Sequence, residues 1–224
     1  MSCPQCRGIE RLFSARTARR ELRHYRRKGA TGATRLLVET LKAEGVEDAT
    51  LLDVGGGIGA IQHELIAAGA AGAFGVDAAP AYLDAVSEEA ERRGYADRVR
   101  ARQGDFVELA PEIPPADVVT LDKVICCYPN MEALVRLSAA RAGRLYGLVY
   151  PRETRLIAVG RYGINGWMWL RRSPFRMFLH PSREVDRLVR ESGLEKRFSG
   201  RAGPFWQVAV YARAAEWVDR GVSL

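Results

Sequence analysis

The stretch Leu51-Leu52-Asp53-Val54-Gly55-Gly56-Gly57-Ile58-Gly59 decides the fold class. Its apolar first half predicts a short buried strand, Thr50–Val54, and the glycines that follow predict a tight turn before a helix over Ala60–Ala68. Glycine is needed where a backbone turns sharply and lies close against a ligand. The stretch therefore predicts a ligand-binding loop at the carboxyl edge of a sheet.

Strand and helix patterns alternate after this loop. The predicted strands are Ala73–Val76, Val99–Gln103, Asp117–Asp122 and Leu145–Tyr150. The predicted helices are Ala81–Arg93, Met131–Ala140 and Pro181–Ser192. Such alternation is typical of a parallel sheet with helices on both faces and right-handed connections. Two last strands, Leu194–Ser199 and Gln207–Ala212, predict a terminal hairpin.

Helices are also predicted before the first strand. Residues 9–28 place apolar side chains at helical spacing among many arginines, which indicates one amphipathic helix, and a second helix follows over Thr34–Lys42. We expect residues 1–45 to form an N-terminal helical cap and residues 46–224 to form the core of the same compact domain.

Acidic residues lie at the ends of three successive predicted strands. Asp53 precedes the glycines, Asp77 ends the second strand, and Asp105 follows the third with Phe106 beside it. Parallel strands end at one edge of a sheet, so these carboxylates are expected to converge there. Asp77 suits the hydroxyls of a ribose, and Asp105 and Phe106 suit adenine. Each acid alone could instead cap a helix or lie in a surface loop; together they predict an adenosyl pocket.

The segment Gly55-x-Gly57-x-x-Ala60 also fits the fingerprint of dinucleotide-binding proteins. Asp53 argues against that alternative, because we expect its carboxylate to face the ligand, where it would repel a pyrophosphate and attract a cationic amino acid tail. An NAD-dependent oxidoreductase is therefore the weakest hypothesis.

Residues 50–150 resemble the core of the class I S-adenosylmethionine-dependent methyltransferases, whose acid-x-Gly-x-Gly-x-Gly loop matches Asp53–Gly59. The resemblance implies a Rossmann-like α/β fold with a seven-stranded sheet, mostly parallel with an antiparallel terminal strand. It also implies S-adenosylmethionine as cofactor, with the loop around its methionine part, Asp77 at its ribose and Asp105 at its adenine. The residues expected to bind it are Asp53, Gly55, Gly56, Gly57, Gly59, Asp77, Ala78, Asp105, Phe106 and Leu121.

Within that superfamily the chain is most similar to the magnesium-protoporphyrin O-methyltransferases and related small-molecule enzymes. Leu121–Pro129 resembles their fourth-strand motif, and Phe178–Ser182 with the Phe205-Trp206 pair resembles their closing helix and hairpin. The chain departs from that pattern at Cys127, where those enzymes usually carry a histidine. The resemblance implies a small organic acceptor.

Four side chains are candidates for a direct role near the reacting methyl group: Tyr128, Cys127, His180 and Tyr25. Tyr128 either orients the acceptor or packs beneath the following helix. Cys127 either binds a soft acceptor or is a small buried apolar residue. His180 is either a base, since an unperturbed histidine has a pKa of about 6.5, or a partner of the backbone. Tyr25 either closes the cap over the cofactor or is a core contact.

Residues 160–180 depart from the strand–helix alternation. They include Trp167, Trp169, Phe175 and Phe178 together with several arginines. We interpret this segment as a lid over the substrate, and the alternative is a buried insertion. Loops held by a rigid sheet commonly contain recognition residues.

Composition limits the remaining choices. The 224 residues carry a formal net charge of +7 with a pI near 9.5, a balance that attracts nucleic acid, anionic lipid or an acidic small molecule. No apolar run approaches the roughly 20 residues that span a bilayer. Neither a transmembrane segment nor a secretory signal is predicted, so a cytoplasmic protein is expected. Cys3 and Cys6 either supply half of a zinc site or lie in an ordinary segment, and no metal is predicted.

The leading hypothesis is methyl transfer to a small organic, anionic acceptor. The alternatives are a nucleic-acid methyltransferase, which the net charge favours, and a catalytically silent S-adenosylmethionine-binding protein of the same fold. The loop Cys127-Tyr128-Pro129-Asn130 does not have the Asn/Asp-Pro-Pro-aromatic pattern of base-amino methylases. The sequence favours no oligomeric state.

Overall fold

A computed structural model describes residues 4–214, apart from the side chains of Pro4, Cys6 and Arg7. Cys3 and the Cys6 side chain lie outside the described part, so the zinc alternative for this pair stays untested. Seven strands of the described chain form one sheet. Their bounds are β1 Thr50–Val54, β2 Gly72–Asp77, β3 Val99–Gln103, β4 Ala116–Asp122, β5 Ala142–Pro151, β6 Leu194–Ala202 and β7 Trp206–Arg213.

Helices of the described chain surround this sheet. Their bounds are α1 Pro4–Leu12, α2 Ala15–Lys28, α3 Gly32–Ala43, α4 Ala60–Ala67, α5 Pro80–Arg93, α6 Phe106–Leu109, α7 Met131–Ala139, α8 Arg155–Leu170 and α9 Ser182–Glu191.

The strand order is β3-β2-β1-β4-β5-β7-β6. Strands β1 to β5 are parallel, whereas β7 runs antiparallel to both β5 and β6. The predicted sheet, mostly parallel with an antiparallel terminal strand, is therefore confirmed. The order reverses between β1 and β4, and in open α/β sheets such a reversal leaves a crevice at the carboxyl ends of the strands.

Apolar layers cover both faces of the sheet. On one face, Leu37 of α3 and Leu65 of α4 pack on the strands. On the other, Leu134 of α7 and Leu188 of α9 do the same. Helices lie on both faces because the crossover between two parallel strands must return over one face or the other.

The N-terminal region differs from its prediction in two ways. The single helix predicted over residues 9–28 is in fact the two helices α1 and α2, because the chain turns at Phe13 and Ser14. Helix α3 packs on the sheet through Leu37 and Leu41. Within the described part of the cap expected over residues 1–45, α3 therefore belongs to one of the two layers, whereas α1 and α2 lie outside them.

The segment interpreted as a lid begins earlier than predicted. Helix α8 starts at Arg155, because the Thr154 hydroxyl caps it by accepting a hydrogen bond from the Ile157 N–H at 3.3 Å. Ile157 and Met168 are the two buried side chains of this helix. Trp167 and Trp169, expected in the lid over the substrate, are exposed.

A buried carboxylate fastens α2 to α5. The Glu89 side chain of α5 is fully buried and pairs with Arg26 of α2 at 2.8 Å and with Arg92 and Arg93 of its own helix at 2.6 Å each. The hydrogen bonds from these three guanidinium groups, that of Arg92 foremost, hold the pKa of Glu89 well below its usual range.

Glu89→Gln is expected to lower the free energy of unfolding by about 2–3 kcal/mol at neutral pH. Breaking a fully buried ion pair costs about 3–5 kcal/mol, and partial hydration of the arginines reduces that cost. Because the pKa of Glu89 is depressed in the folded protein, its contribution is present above the unfolded pKa of about 4.3 and is lost as the pH falls below it. Urea unfolding at neutral and acidic pH measures the difference.

Glu88→Gln is the matched control, since Glu88 pairs with the same Arg26 at 2.8 Å but is exposed. Its effect is expected to stay below about 1 kcal/mol. Equal losses from the two substitutions would contradict the role of Glu89.

Candidate active site

A cavity of about 930 Å³ lies at the carboxyl edge of the sheet. The loops after β1, β2, β3 and β4 line one side of it. Helices α1, α2 and α8, the segment after α8 and the turn between β6 and β7 line the other. Because these elements come from both ends of the described chain, the cavity forms only when the whole domain folds.

The glycine loop after β1 approaches its neighbours too closely for side chains. Gly55 and Gly57 have φ values of 64° and 56°, in the left-handed region that favours glycine. A Cβ atom on Gly55 would lie 2.5 Å from a methyl carbon of Val124, and one on Gly56 would overlap the Asp53 carboxylate. These three glycines line the cavity. Gly59 does not, since a Cβ on it would lie 2.9 Å from Val86 of α5, and its contact with the cofactor stays a prediction.

Asp53 was expected to face the ligand, and the structure corrects this. Its side chain is fully buried behind the glycine loop. One carboxylate oxygen accepts a hydrogen bond from the Thr120 hydroxyl at 2.7 Å, and the other accepts from the Gln62 amide at 3.1 Å. Burial raises the pKa of Asp53 to about 6. The charge of Asp53 can therefore act on a cationic ligand across the loop rather than by direct contact.

Asp77 and Ala78 line the cavity at the end of β2. The Asp77 carboxylate accepts hydrogen bonds from the Gly57 N–H at 3.1 Å and from the Ala79 N–H at 2.8 Å, so it is oriented by the backbone on both sides. Burial raises the pKa of Asp77 to about 6. A carboxylate has further lone pairs, and those of Asp77 suit the adjacent hydroxyls of a ribose.

Asp105 and Phe106 line the cavity at the end of β3. Asp105 caps α6 by accepting from the Val107 N–H at 2.9 Å, and the Tyr128 hydroxyl donates to both of its carboxylate oxygens at 2.8 and 2.9 Å. Asp105 thus both caps a helix and lines the cavity, so the two alternatives raised for it from the sequence occur together. Leu121, which was expected to bind the cofactor with them, is instead fully buried in the core and does not line the cavity.

Lys123 lies where the strand order reverses, directly after β4. Its φ of 64° is unusual for a residue other than glycine. Its Nζ donates to the Thr34 hydroxyl at 2.7 Å and to the Asp122 carboxylate at 3.1 Å, and it lies 5.7 Å from the centre of the Trp206 ring. All four residues line the cavity. An uncommon backbone conformation held by such a network is typical of functional sites.

Two candidate catalytic residues, Tyr128 and Cys127, do line the cavity. The hydroxyl of Tyr128 is engaged by Asp105, as described above. The Cys127 sulfur lies 3.9 Å from that of Cys126. This contact and burial raise the pKa of the Cys127 thiol, which is therefore protonated at neutral pH.

The other two candidates have structural partners. His180 does not line the cavity: its Nε2 donates to the carbonyl of Tyr128 at 3.0 Å, and burial lowers its pKa. A carbonyl can only accept, so this bond agrees with the alternative that His180 is a partner of the backbone, and a role as a base stays a prediction. Tyr25 lines the cavity, but its hydroxyl donates to Glu64 and accepts from Arg93, both at 3.1 Å, which fastens α2 to α4 and α5.

Several cavity residues were missed by the sequence analysis. Lys123 could have been predicted from the sequence, because it directly follows a strand whose carboxyl end lies beside the glycine loop. The others come together only in the tertiary structure, from α3, α5 and the terminal hairpin. They are Thr34, Tyr82 and Trp206.

Asp53→Asn is expected to raise the free energy of unfolding of the ligand-free protein by about 1–3 kcal/mol at pH values above about 6, because ionisation of this buried carboxyl costs stability. Asparagine has the same shape, and its amide can donate to Gln62 Oε1, a buried atom without a hydrogen-bond partner among the described residues. The gain should disappear as the pH falls to about 4, where the unfolded carboxyl also takes up a proton. Chemical denaturation across this range measures it.

The same substitution is expected to weaken the binding of S-adenosylmethionine and S-adenosylhomocysteine about tenfold, because both carry an ammonium group that the negative charge attracts. Asp117→Asn is the control. Asp117 lies near the start of the neighbouring strand β4, at the opposite edge of the sheet. Hydrogen bonds from the backbone and hydroxyl of Thr50 lower its pKa, so its loss should reduce stability and leave cofactor affinity unchanged. Reduced stability with unchanged affinity in Asp53→Asn would contradict this account.

Residues 51–142 match a family model described as a methyltransferase domain. The match spans β1 to β4 and includes all three acids at the strand ends. No curated protein matches the sequence.

Solved structures with the same fold include several methyltransferases. Magnesium protoporphyrin IX methyltransferase from Synechocystis PCC 6803 with bound SAH is 18% identical, with a TM-score of 0.65 over 80% of each chain. Geranyl diphosphate C-methyltransferase from Streptomyces coelicolor A3(2), in complex with Mg²⁺, geranyl diphosphate and S-adenosyl-L-homocysteine, is 14% identical, with a TM-score of 0.63 over 81% of this chain and 79% of that one.

A third such structure is an O-methyltransferase family 2 protein from Planctomyces limnophilus in complex with apigenin. It is 16% identical, with a TM-score of 0.64 over 89% of this chain and 62% of that one. At these identities the likeness concerns the fold, and the family model concerns the domain. Residues 51–142 therefore match a methyltransferase domain, and the chain shares the fold of these solved methyltransferases.

Proposed function

We propose that this protein transfers a methyl group to a small, largely apolar organic acceptor that carries an anionic group, such as a carboxylate. The observation that carries the proposal is the position of the Lys123 ammonium. Lys123 lies in the wall of the cavity between the glycine loop and a group of apolar side chains. It therefore offers a positive charge where the two halves of the cavity meet.

The half of the cavity beside β1, β2 and β3 fits S-adenosylmethionine, which when bound supplies an electrophilic methyl group. The bare backbone at Gly56 allows close approach of the amino acid tail, and Asp53 behind it favours a cation there. Asp77 accepts from the ribose hydroxyls. Asp105 accepts from the adenine amino group, and Phe106 lies against the ring.

Apolar side chains dominate the other half of the cavity. They come from α1, the loop after β4, α7, α8, the segment after α8 and the terminal hairpin. Removing the body of an apolar acceptor from water against this surface contributes about 25 cal/mol per Å². The surface favours a hydrocarbon or aromatic body over a sugar. Its members are Ile9, Phe13, Val124, Leu134, Ile157, Ile164, Phe175, Met177, Phe205 and Trp206.

We assign the anionic group of the acceptor to the Lys123 ammonium, beside its existing partners. An ammonium has three donors, and two of them go to Thr34 and Asp122. The Thr34 hydroxyl in turn donates to Asp122 at 2.6 Å, which holds the network in place. The third donor serves the acceptor. A hydrogen bond to a charged group contributes about 1.5–3 kcal/mol, enough to select an anionic acceptor over its neutral analogue.

The Tyr128 hydroxyl and the Cys127 thiol, which lie near the proposed acceptor half of the cavity, are not free to take a proton from the acceptor. The Tyr128 hydroxyl donates to Asp105, and the raised pKa of Cys127 keeps its thiol protonated. An acceptor that is already an anion at neutral pH loses no proton during methyl transfer, so this arrangement suits a carboxylate. The main requirement is then placement, and holding two reactants in a near-attack geometry contributes about 7–11 kcal/mol.

A methyl-transfer assay with label in the methyl group of S-adenosylmethionine tests the proposal. The acceptor panel includes apolar carboxylic acids, their amides, apigenin, geranyl diphosphate, magnesium protoporphyrin IX and RNA. We expect label in base-labile methyl esters of apolar acids and none in the matching amides. Label in RNA alone, or cofactor binding without turnover of any acceptor, would contradict the proposal.

Lys123→Met is expected to raise the KM of an anionic acceptor about tenfold or more, because it removes one charged hydrogen bond. The affinity for S-adenosylhomocysteine should change less than about threefold, and Lys123→Arg should restore part of the loss. Steady-state kinetics and calorimetry measure the two effects.

Lys196→Met is the matched control, since Lys196 is also paired with a carboxylate, that of Asp186 at 2.7 Å, but lies on β6 outside the cavity lining. It should leave KM unchanged. A KM for the acceptor that is unaffected by Lys123→Met would contradict the assigned role.

A further inference from the structure

Helix α8 presents an apolar face that no other described residue covers. Leu156, Val159, Tyr162, Trp169 and Leu170 are 68–74% exposed. At 100° per residue these five positions fall on one side of the helix, opposite the buried Ile157 and Met168. Isolated exposed apolar residues are ordinary, but a contiguous set marks an interaction surface.

Two glycines extend this face. Gly163 and Gly166 lie on the same side of α8, and apart from the nearby backbone of the helix itself no atom of the described residues lies within 4 Å of the position that a Cβ on either would take. Glycine inside an exposed helix costs about 1 kcal/mol relative to alanine, and no contact within the described chain explains it. Because the glycines have no side chains, the helix backbone is accessible between the large side chains of this face. Such a surface suits close approach to a broad, flat partner.

The surroundings of this face are strongly basic. From Arg155 to Arg183 the sequence contains six arginines and neither Asp nor Glu. Arg155, Arg171 and Arg172 are exposed, and none of them pairs with a carboxylate of the described residues. The Arg171 guanidinium lies 4.7 Å from the centre of the Trp167 ring. A helix with an apolar face and tryptophan, flanked by unpaired arginines, is typical of helices that lie in the interface of anionic bilayers.

The same helix forms part of the cavity wall. Ile157 and Ile164 of α8 line the cavity. Phe205, which also lines it and is 52% exposed, lies beside the start of this region, where its carbonyl accepts from the Arg152 N–H at 2.9 Å. The cavity and the exposed apolar face therefore lie on opposite sides of α8.

We infer that α8 docks this protein on an anionic lipid bilayer, with its apolar face at the boundary of headgroups and acyl chains and its arginines at the phosphates. Within residues 4–214 no helix is both long and apolar enough to cross a membrane, so the contact is peripheral. Docking is independent of the methyl acceptor.

Vesicle sedimentation of the whole protein, without cofactor or acceptor, tests the docking. We expect binding to vesicles of phosphatidylcholine and phosphatidylglycerol in equal parts, and much weaker binding to phosphatidylcholine alone. Arg171→Gln with Arg172→Gln should lower the affinity about 30-fold, which corresponds to about 2 kcal/mol. Leu156→Ser with Leu170→Ser should lower it about tenfold or more without loss of folding, because both side chains are exposed.

The matched control is Arg187→Gln with Arg190→Gln, which removes the same charge from α9, where both arginines are ion-paired. It should leave vesicle affinity within about threefold of the original protein. An equal loss in this control would overturn the assignment to α8 in favour of net charge alone.

Two further outcomes would also overturn the inference. One is failure to sediment with anionic vesicles at low salt. The other is a dimer in analytical ultracentrifugation that Leu156→Ser with Leu170→Ser dissociates while vesicle binding is unchanged, which would assign the face to a second copy of the chain. None of these measurements involves methyl transfer, so failure of docking and failure of the proposed function are distinguishable.

Discussion

The buried carboxylate of Asp53 is the interaction on which the site depends. It joins β1 to Thr120 of the neighbouring β4 and to Gln62 of α4. The packing around it requires glycine at two positions, since a Cβ on Gly56 would overlap the carboxylate and one on Gly75 would lie 2.9 Å from the Gln62 amide nitrogen. Its raised pKa of about 6 means that the protein keeps this charge at a cost in stability. Such a cost is expected where a charge serves binding rather than folding.

Contacts run from this carboxylate through the rest of the cavity. The loop in front of it donates from Gly57 to Asp77, and Gly55 packs against Val124 in the loop after β4. That loop also holds Lys123, so the proposed cofactor and acceptor halves share one wall. The cap is fixed to this assembly through Glu89. Displacement of any of these loops should therefore disturb both halves together.

The fold could be predicted because its signals are local. Strand–helix alternation, the glycine loop and the acids at three strand ends each occupy a few adjacent residues, and the family resemblance that they support implies the seven-stranded sheet. The direction in which side chains point was harder to predict than the fold. A strand that is buried on both faces has no polar side, so its pattern does not indicate which way Asp53 or Leu121 points. The position of His180 also depends on a distant partner, the backbone of Tyr128. The exposure of one side of α8 could not be predicted, because the same pattern of apolar residues is expected whether that side is buried or exposed.

Calorimetric titration with S-adenosylhomocysteine tests the central claim, that the cavity over the ends of β1, β2 and β3 is the cofactor site, most directly. The comparison is between the original protein and Asp77→Ala, with NAD as the competing nucleotide. The account predicts binding at one site, a loss of about tenfold or more in a folded Asp77→Ala protein, and no displacement by NAD. Undiminished binding to Asp77→Ala, or displacement of S-adenosylhomocysteine by NAD, would contradict it.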